Sequence, residues 1–289
     1  MVNNRKIAFM ASLGFSSWKP EKILESLSNL GYDGVEWTLA HFNPRNKSKK
    51  ELKELVDMTE KYSLEISEIV VQQDVVSLNE KVRRDRINLV KECIVSASET
   101  GVEVINVFSG PAPWDQKAPR IPKDISEGNA WEQVLEAYGE FVDLAEKCKV
   151  YLAIEAVFGH LCHDYYTTQE LISSFNSEYL GINMDPSHYR LYGNDIPWVV
   201  KKWGKKIKHV HLKDVIGNPG INGKDFMFPL LGEGMINWKA FFKALDEIEY
   251  KGFLSVEFES FKYYRNVLNS DPLRAARISM EQIKELSKL

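Results

Sequence analysis

The chain has 289 residues, of which 44% are hydrophobic and 27% are charged, as in an ordinary globular protein. Its 37 lysines and arginines are outnumbered by 41 aspartates and glutamates, so the net charge of −4 leaves no basic excess for nucleic-acid phosphates. The sequence has no run of about twenty apolar residues, which argues against a membrane partner.

Eight short strand-like runs alternate with eight helical patterns along the whole chain. The strands are predicted at 7–12, 34–38, 64–71, 103–109, 150–157, 180–185, 207–213 and 253–259. Eight such units predict a (β/α)8 TIM barrel, an α/β fold, as a single domain over residues 1–289. An open doubly wound sheet normally has fewer strands and a Gly-rich phosphate turn, which is missing here.

Three predicted helices show how the boundaries are set. Apolar residues recur at three- and four-residue spacing over 20–30, and Gly31 follows as the stop. The same pattern predicts a helix over 81–100 ending at Gly101, and one over 241–251 ending at Gly252.

Two connections are too long for ordinary turns, namely 110–129 and 215–237, and both are rich in Gly and Pro. Long ordered loops often cover a functional site, so these segments are candidates for lids or walls. A rigid surface excursion is the alternative.

Ionisable side chains lie late in four consecutive predicted strands, at Glu155, Asp185, His211 and Glu257. The active site of a barrel lies at this end of the strands. Three carboxylates and an imidazole that converge there would be stabilised by one divalent cation, with Mn, Mg, Zn or Co all suitable. The alternative is that each acid forms its own separate salt bridge.

Strand alternation supports this convergence, because residues two apart share a face. Asn183, His209 and Ser255 then point inward with the ionisable residues that follow them. Lys213 shares the inward face with His211, so its ammonium could reach the same oxygens or extend into solvent.

Several motifs resemble one known family. They are the IEA containing Glu155, the MDPSH of Asp185 and His188, the HVHLKD of His211, the LGEGMINW at 231–238 and the FLSVE ending at Glu257. Together they are similar to the xylose isomerase-like TIM barrel family. That family includes inosose isomerases and dehydratases, hydroxypyruvate isomerase, ketose 3-epimerases and, more distantly, endonuclease IV.

The resemblance implies a metal-dependent isomerase or epimerase acting on a small carbohydrate-like substrate. Glu155, Asp185, His211 and Glu257 would be the ligands of one divalent metal such as manganese, and the two glutamates would also be the catalytic acid/base pair. Proton transfer would pass through a metal-bound enediolate. His188 would hydrogen-bond a substrate hydroxyl or the developing oxyanion, or else be a loop histidine without a role.

Other residues near the strand ends are candidate substrate contacts. Trp18, Trp37 and Trp114 could form an apolar wall for a sugar, or pack in loops. Glu36 and Glu68 could bind substrate hydroxyls or cap a neighbouring loop.

The reaction and the assembly stay open at this stage. No arginine closely follows HVHLKD, as it usually does in ketose 3-epimerases, which leaves inosose-type or keto-glycoside chemistry open. A lyase would expel a β-group from the same enediolate. An endonuclease IV-like phosphodiesterase would need histidines that 64–109 lacks, and intact acids argue against a non-catalytic binding protein. Family members often form dimers or tetramers, so a homo-oligomer is one expectation.

Cysteine usage bears on the compartment. Cys93, Cys148 and Cys162 form neither a CxxC pair nor an even set for disulfides. This pattern is typical of a reducing compartment, so we expect a cytoplasmic protein.

Overall fold

The computed structural model describes residues 5–288, so Met1 to Asn4 and Leu289 of the predicted domain lie outside the described residues. Eight parallel strands form a closed barrel in the order β1-β10-β7-β6-β5-β4-β3-β2. The barrel strands are β1 Ile7–Met10, β2 Gly34–Thr38, β3 Glu65–Val70, β4 Val104–Val107, β5 Tyr151–Glu155, β6 Leu180–Met184, β7 Ile207–Leu212 and β10 Leu254–Val256. The predicted (β/α)8 barrel is therefore confirmed.

Helices surround this barrel. They are α1 Pro20–Leu30, α2 Lys49–Lys61, α3 Glu80–Thr100, α4 Glu127–Cys148, α5 Tyr165–Ser173, α6 Pro186–Leu191, α7 Ile196–Trp203, α8 Trp238–Glu247, α9 Phe261–Asn266 and α10 Pro272–Leu286. Two short 3-10 helices occupy Leu13–Ser17 and Gly204–Lys206. Residues 5–288 contain ten α-helices rather than the predicted eight, because the β6–β7 connection and the segment after β10 each hold two. None of these helices is both long and apolar enough to cross a membrane.

The strands are buried on both faces, since one face fills the barrel and the other packs on helices. All five residues of β6 are buried, for example. Each of the eight predicted strands is present. Several are shorter than predicted, as in β10, which ends at Val256 rather than at Glu259. The residues just past each strand are free to turn their side chains toward the mouth of the barrel.

Two of the three predicted helix stops are confirmed and one is wrong. Gly31 and Gly101 end α1 and α3 in the left-handed conformation, each with φ of 85°. Helix α8 runs from Trp238 to Glu247 rather than over 241–251. It ends early because Glu249 takes a left-handed conformation, with φ of 56°, and Gly252 lies in the connection to β10.

The long connection after β7 contains a small hairpin of β8 Ile216–Gly217 and β9 Phe226–Met227. The buried carboxylate of Asp214 holds its base. That carboxylate accepts hydrogen bonds from the backbone N–H groups of Val215, Gly232, Gly234 and Ile236 and from the indole N–H of Trp238. The connection is thus an ordered wall anchored at one side chain.

Candidate metal-dependent active site

The four side chains predicted to converge do lie together at the carboxyl ends of the strands. Glu155 is the last residue of β5, and His211 lies in β7. Asp185 directly follows β6, and its carboxylate caps α6 by accepting the N–H of Ser187 at 2.8 Å. With Glu257, just past β10, each residue offers one ligand atom, and these atoms all lie within 4.8 Å of one another.

The donor set fits a divalent cation in chemistry and in spacing. His211 Nδ1 lies 3.2 Å from Glu155 Oε1 and 3.3 Å from Glu257 Oε2. Donors bound at about 2.0–2.2 Å around one tetrahedral ion are separated by about 3.3–3.6 Å, so these spacings suit a shared ion. Three carboxylates and one imidazole nitrogen are ligands that Zn, Mn and Co accept, and they do not select among them.

The two glutamates differ in their electrostatic surroundings. Burial, together with the neighbouring Glu257 carboxylate, raises the pKa of Glu155 to about 7. Burial acts in the same direction on Glu257, but Lys213 and His211 outweigh it and hold the pKa of that carboxyl at about 2. Two nearby carboxyls whose pKa values are pushed apart are typical of an acid/base pair.

Lys213 and His188 lie beside these carboxylates. The Lys213 ammonium contacts Glu257, lies 2.9 Å from Asp185 Oδ2 and lies 3.1 Å from His188 Nε2. His188 Nε2 is 3.7 Å from Glu155 Oε1. Burial and the nearby Lys213 charge keep the pKa of His188 well below its ordinary value, so this imidazole is neutral.

A cavity of about 550 Å³ opens over this cluster, within the usual size range of small-molecule sites. Its polar lining includes Gln72, Glu155, His188, Lys213 and Glu257, and the rest of its lining is mostly apolar, with Phe108, Pro113, Val157, Phe158, Phe261 and the more exposed Trp114 and Ile221. Both long connections therefore contribute to its walls.

Of the three predicted tryptophans, the structure brings only Trp114 to the cavity. Trp114 is 55% exposed and packs against Phe158 with ring centroids 5.5 Å apart. Trp37 follows the inward-facing Glu36, so it points outward and donates its indole N–H to Thr59 on α2. Trp18 is half-buried beneath the ammonium of Lys22, which lies 3.6 Å from its ring centroid.

Glu36 and Glu68 lie deeper than the cavity, inside the barrel. Both are fully buried, and Glu68 Oε1 lies 3.2 Å from His209 Nδ1. His211 Nε2 lies 3.0 Å from Glu36 Oε1, so its imidazole lies between this inner pair and the outer carboxylates. The structure thus places Glu68 in the barrel interior and away from the cavity lining.

Three polar residues of the site were not predicted from the sequence. The side-chain amides of Gln72 and Asn106 each donate to Glu155 Oε2 at 3.3 Å, which orients the other oxygen toward His211. Glu259 lies 3.1 Å from the Lys213 ammonium and lines the cavity. Asn106 could have been found, because a polar residue within the apolar VINV of β4 must point into the barrel or be unpaired.

Comparison with known proteins places this arrangement in a family. The family model described as "Xylose isomerase-like TIM barrel" matches residues 24–286, which is most of the chain. The chain belongs to the xylose isomerase-like TIM barrel family. The resemblance inferred from the motifs is therefore confirmed.

Three members illustrate the range of the family. An inosose dehydratase of Mesomycoplasma hyopneumoniae is 24% identical over 280 residues, covering 92% of this chain and 88% of the relative. A D-psicose 3-epimerase of Clostridium cellulolyticum, solved with D-tagatose, has a TM-score of 0.77 at 17% identity and covers 98% of both chains. The IOLI protein, solved with a zinc atom, has a TM-score of 0.73 at 20% identity and covers 98% of this chain and 96% of its own. The family thus includes epimerases and dehydratases, and the structural likenesses establish the shared fold.

Proposed function

We propose that this protein is a divalent-metal-dependent isomerase or epimerase of a keto-sugar or keto-inositol. The observation that carries the proposal is the pair Glu155 and Glu257, whose carboxylates contact the same nitrogen of His211 from two strands. Glu155, Asp185, His211 and Glu257 would hold the ion. When bound, the ion would polarise the substrate carbonyl and so acidify the neighbouring C–H bond.

The chain's own residues then move the proton. Glu257, which the ammonium of Lys213 keeps ionised, is suited to accept a proton at neutral pH. It would remove the proton from the carbon next to the carbonyl, leaving an enediolate. Glu155, whose pKa burial raises to about 7, would return a proton to the opposite face for epimerisation or to the next carbon for isomerisation.

The cavity supports a substrate with an apolar part. The polar groups lie at the inner end, where a carbonyl and adjacent hydroxyl would bind, with His188 close to both Asp185 and Glu155. The outer walls are aromatic and aliphatic. This arrangement suits a keto-glycoside with an apolar aglycone better than a small free ketose, whose surface is polar throughout.

Elimination is a second candidate reaction, favoured by the position of Glu259. Its carboxyl lines the cavity and lies 3.1 Å from the Lys213 ammonium. An acid in that position could protonate a leaving hydroxyl or aglycone after the same first proton transfer.

Solvent exchange tests the proposal and separates the two reactions. The Mn²⁺-loaded protein is incubated in D₂O with an inosose or a 3-keto-glucoside, and the products are analysed by NMR. We expect deuterium next to the carbonyl with the carbon skeleton and leaving groups intact. Loss of water or of the aglycone would show the lyase reaction instead. Absence of both with every keto-sugar tested would contradict the proposal.

Substitutions of the two glutamates test the proposed acid/base pair. Glu155→Gln and Glu257→Gln remove the proton-accepting oxygens, so each should slow deuterium exchange by at least about 10²-fold. Glu233→Gln, an exposed carboxylate of the connection after β7, is the matched control and should exchange at the wild-type rate. Wild-type exchange in both active-site variants would exclude these glutamates as the proton-transferring groups.

A further inference from the structure

A second group of buried ligands lies below the candidate active site. It consists of Glu36 on β2, Glu68 on β3, and His209 and His211 on β7. In the barrel order β7 lies opposite β2 and β3, so these side chains meet across the interior. One ligand atom from each lies within 4.8 Å of the others, and all four residues are at most 1% exposed.

The spacing of this inner group is close to that of a tetrahedral ligand set. His211 Nε2 lies 3.0 Å from Glu36 Oε1 and 3.5 Å from Glu68 Oε1. Ligands at about 2.0–2.2 Å from one tetrahedral ion are about 3.3–3.6 Å apart. The 3.5 Å contact falls in this range, and the 3.0 Å contact, which is also a hydrogen-bond distance, would have to lengthen by about 0.3 Å around an ion.

Several polar atoms of the group have no hydrogen-bond partner among the described residues. They are Oε2 of Glu36, Oε2 of Glu68 and Nε2 of His209. His209 Nδ1 can donate to Asn183 Oδ1 at 3.2 Å, and in that tautomer Nε2 carries a free lone pair. Unpartnered polar atoms are costly at such depth, so three of them in one cluster indicate a missing partner.

The charges of the buried side chains also favour a bound cation. Two carboxylates lie in the barrel interior, and the imidazole of His211 lies between them and the outer site. If an ion binds His211 Nδ1, that nitrogen carries no proton, and His211 cannot be the cation that balances Glu36 and Glu68. Without a cation beside them, these buried carboxyls would have to be protonated.

We propose that Glu36, Glu68, His209 and the Nε2 atom of His211 form a second, inner site for a tetrahedral divalent cation of the zinc class. With both sites filled, the imidazole of His211 would release its remaining N–H proton to solvent and bridge the two ions as an imidazolate, so the inference depends on the proposed active-site ion only through this residue. With four protein ligands and no open position, the inner ion would be structural rather than catalytic.

Metal content of single-site variants tests this inference. The wild-type protein and the variants are loaded with Zn²⁺ or Co²⁺, passed over a desalting column, and measured by elemental analysis. We expect two equivalents in the wild type, one in Asp185→Asn, which removes an outer ligand only, and one in Glu68→Gln, which removes an inner ligand only. Glu65→Gln, an exposed carboxylate on the same strand as Glu68, is the matched control and should retain two.

Each outcome is decisive, and failure of one site is distinguishable from failure of the other. One equivalent in the wild type and none in Asp185→Asn would overturn the inner site and leave Glu36 and Glu68 as groups that only orient His211. One equivalent that survives in Asp185→Asn but is lost in Glu68→Gln would support the inner site and contradict the outer one. Glu36→Gln repeats the test if Glu68→Gln does not fold by circular dichroism. Two equivalents in both inner variants would also overturn the inference.

Discussion

At the scale of single residues, the cavity separates groups that act on the carbonyl from groups that hold the rest of the substrate. Glu155, Glu257, His188 and Lys213 are buried and contact one another. Trp114 is over half exposed and packs against the rings of Phe158 and His160. The inner residues should therefore affect turnover, whereas Trp114 should affect binding.

Trp114→Ala is the corresponding prediction. Loss of the indole removes apolar contact that is equal in ground and transition states, so KM for a keto-glycoside with an apolar aglycone should rise about tenfold with kcat unchanged. A free keto-inositol should be turned over as by the wild type. Trp198→Ala, a partly exposed indole on α7, is the control and should leave both constants unchanged. An equal loss on both substrates would contradict an aglycone-binding role.

Residue types at strand ends made the outer site predictable. An acid or histidine late in an apolar strand, repeated on four consecutive strands, predicts convergence whatever the details of the loops. The role of each tryptophan was not predictable in this way, since one residue of shift reverses the face of a strand, as Glu36 and Trp37 show. Their position next to each other in β2 places one inside the barrel and the other against α2.

At the scale of elements, the wall after β7 depends on one anchoring carboxylate. Asp214 is fully buried and accepts five hydrogen bonds that fix both ends of the segment. Asparagine at this position would turn an NH₂ group toward N–H groups that now donate to a carboxylate oxygen, so some of these hydrogen bonds would be lost. Asp214→Asn should lower the free energy of unfolding by about 1–3 kcal/mol and expose 215–237 to limited proteolysis. Asp225→Asn, exposed in the same segment, should do neither. Wild-type resistance of the Asp214 variant would show that the wall has another anchor.

Close packing between β6 and β7 gives a second prediction at this scale. A Cβ atom on Gly181 would lie 2.4 Å from the backbone oxygen of Lys206, so the strands would have to move apart. We expect Gly181→Ala to lose about 1–3 kcal/mol in urea unfolding. Gly128→Ala in α4 is the control, because a Cβ there meets nothing within 4 Å, and it should leave the stability unchanged or raise it by up to about 1 kcal/mol. Equal stabilities would contradict the tight spacing of these strands.

Periodicity predicts long regular elements well and local exceptions poorly. The predicted strand at 34–38 and helix at 20–30 match β2 and α1 at both ends. The end of α8 was wrong because Glu249, a residue without a turn signature, takes the left-handed conformation. The β8–β9 hairpin was not predicted, since its strands have two residues each and show no alternation.

At the scale of the whole molecule, barrel closure creates contacts that no local pattern specifies. Glu36 and His211 are 175 positions apart and 3.0 Å from each other, because β2 and β7 face one another across the barrel. The strand count predicts that both side chains can point into the barrel. Their relative depth depends on the stagger between strands, which cannot be deduced from the sequence. The outer ligand set was therefore accessible from sequence, whereas the inner cluster required the structure.

The account depends most on a divalent ion held by the outer ligand set, and anomalous diffraction from Co²⁺- or Mn²⁺-loaded crystals tests this most directly. We predict an anomalous peak within about 2.0–2.6 Å of Glu155, Asp185, His211 and Glu257, at the inner end of the cavity. Loaded crystals without a peak between these four side chains, or with the four turned away from one another, would contradict the account.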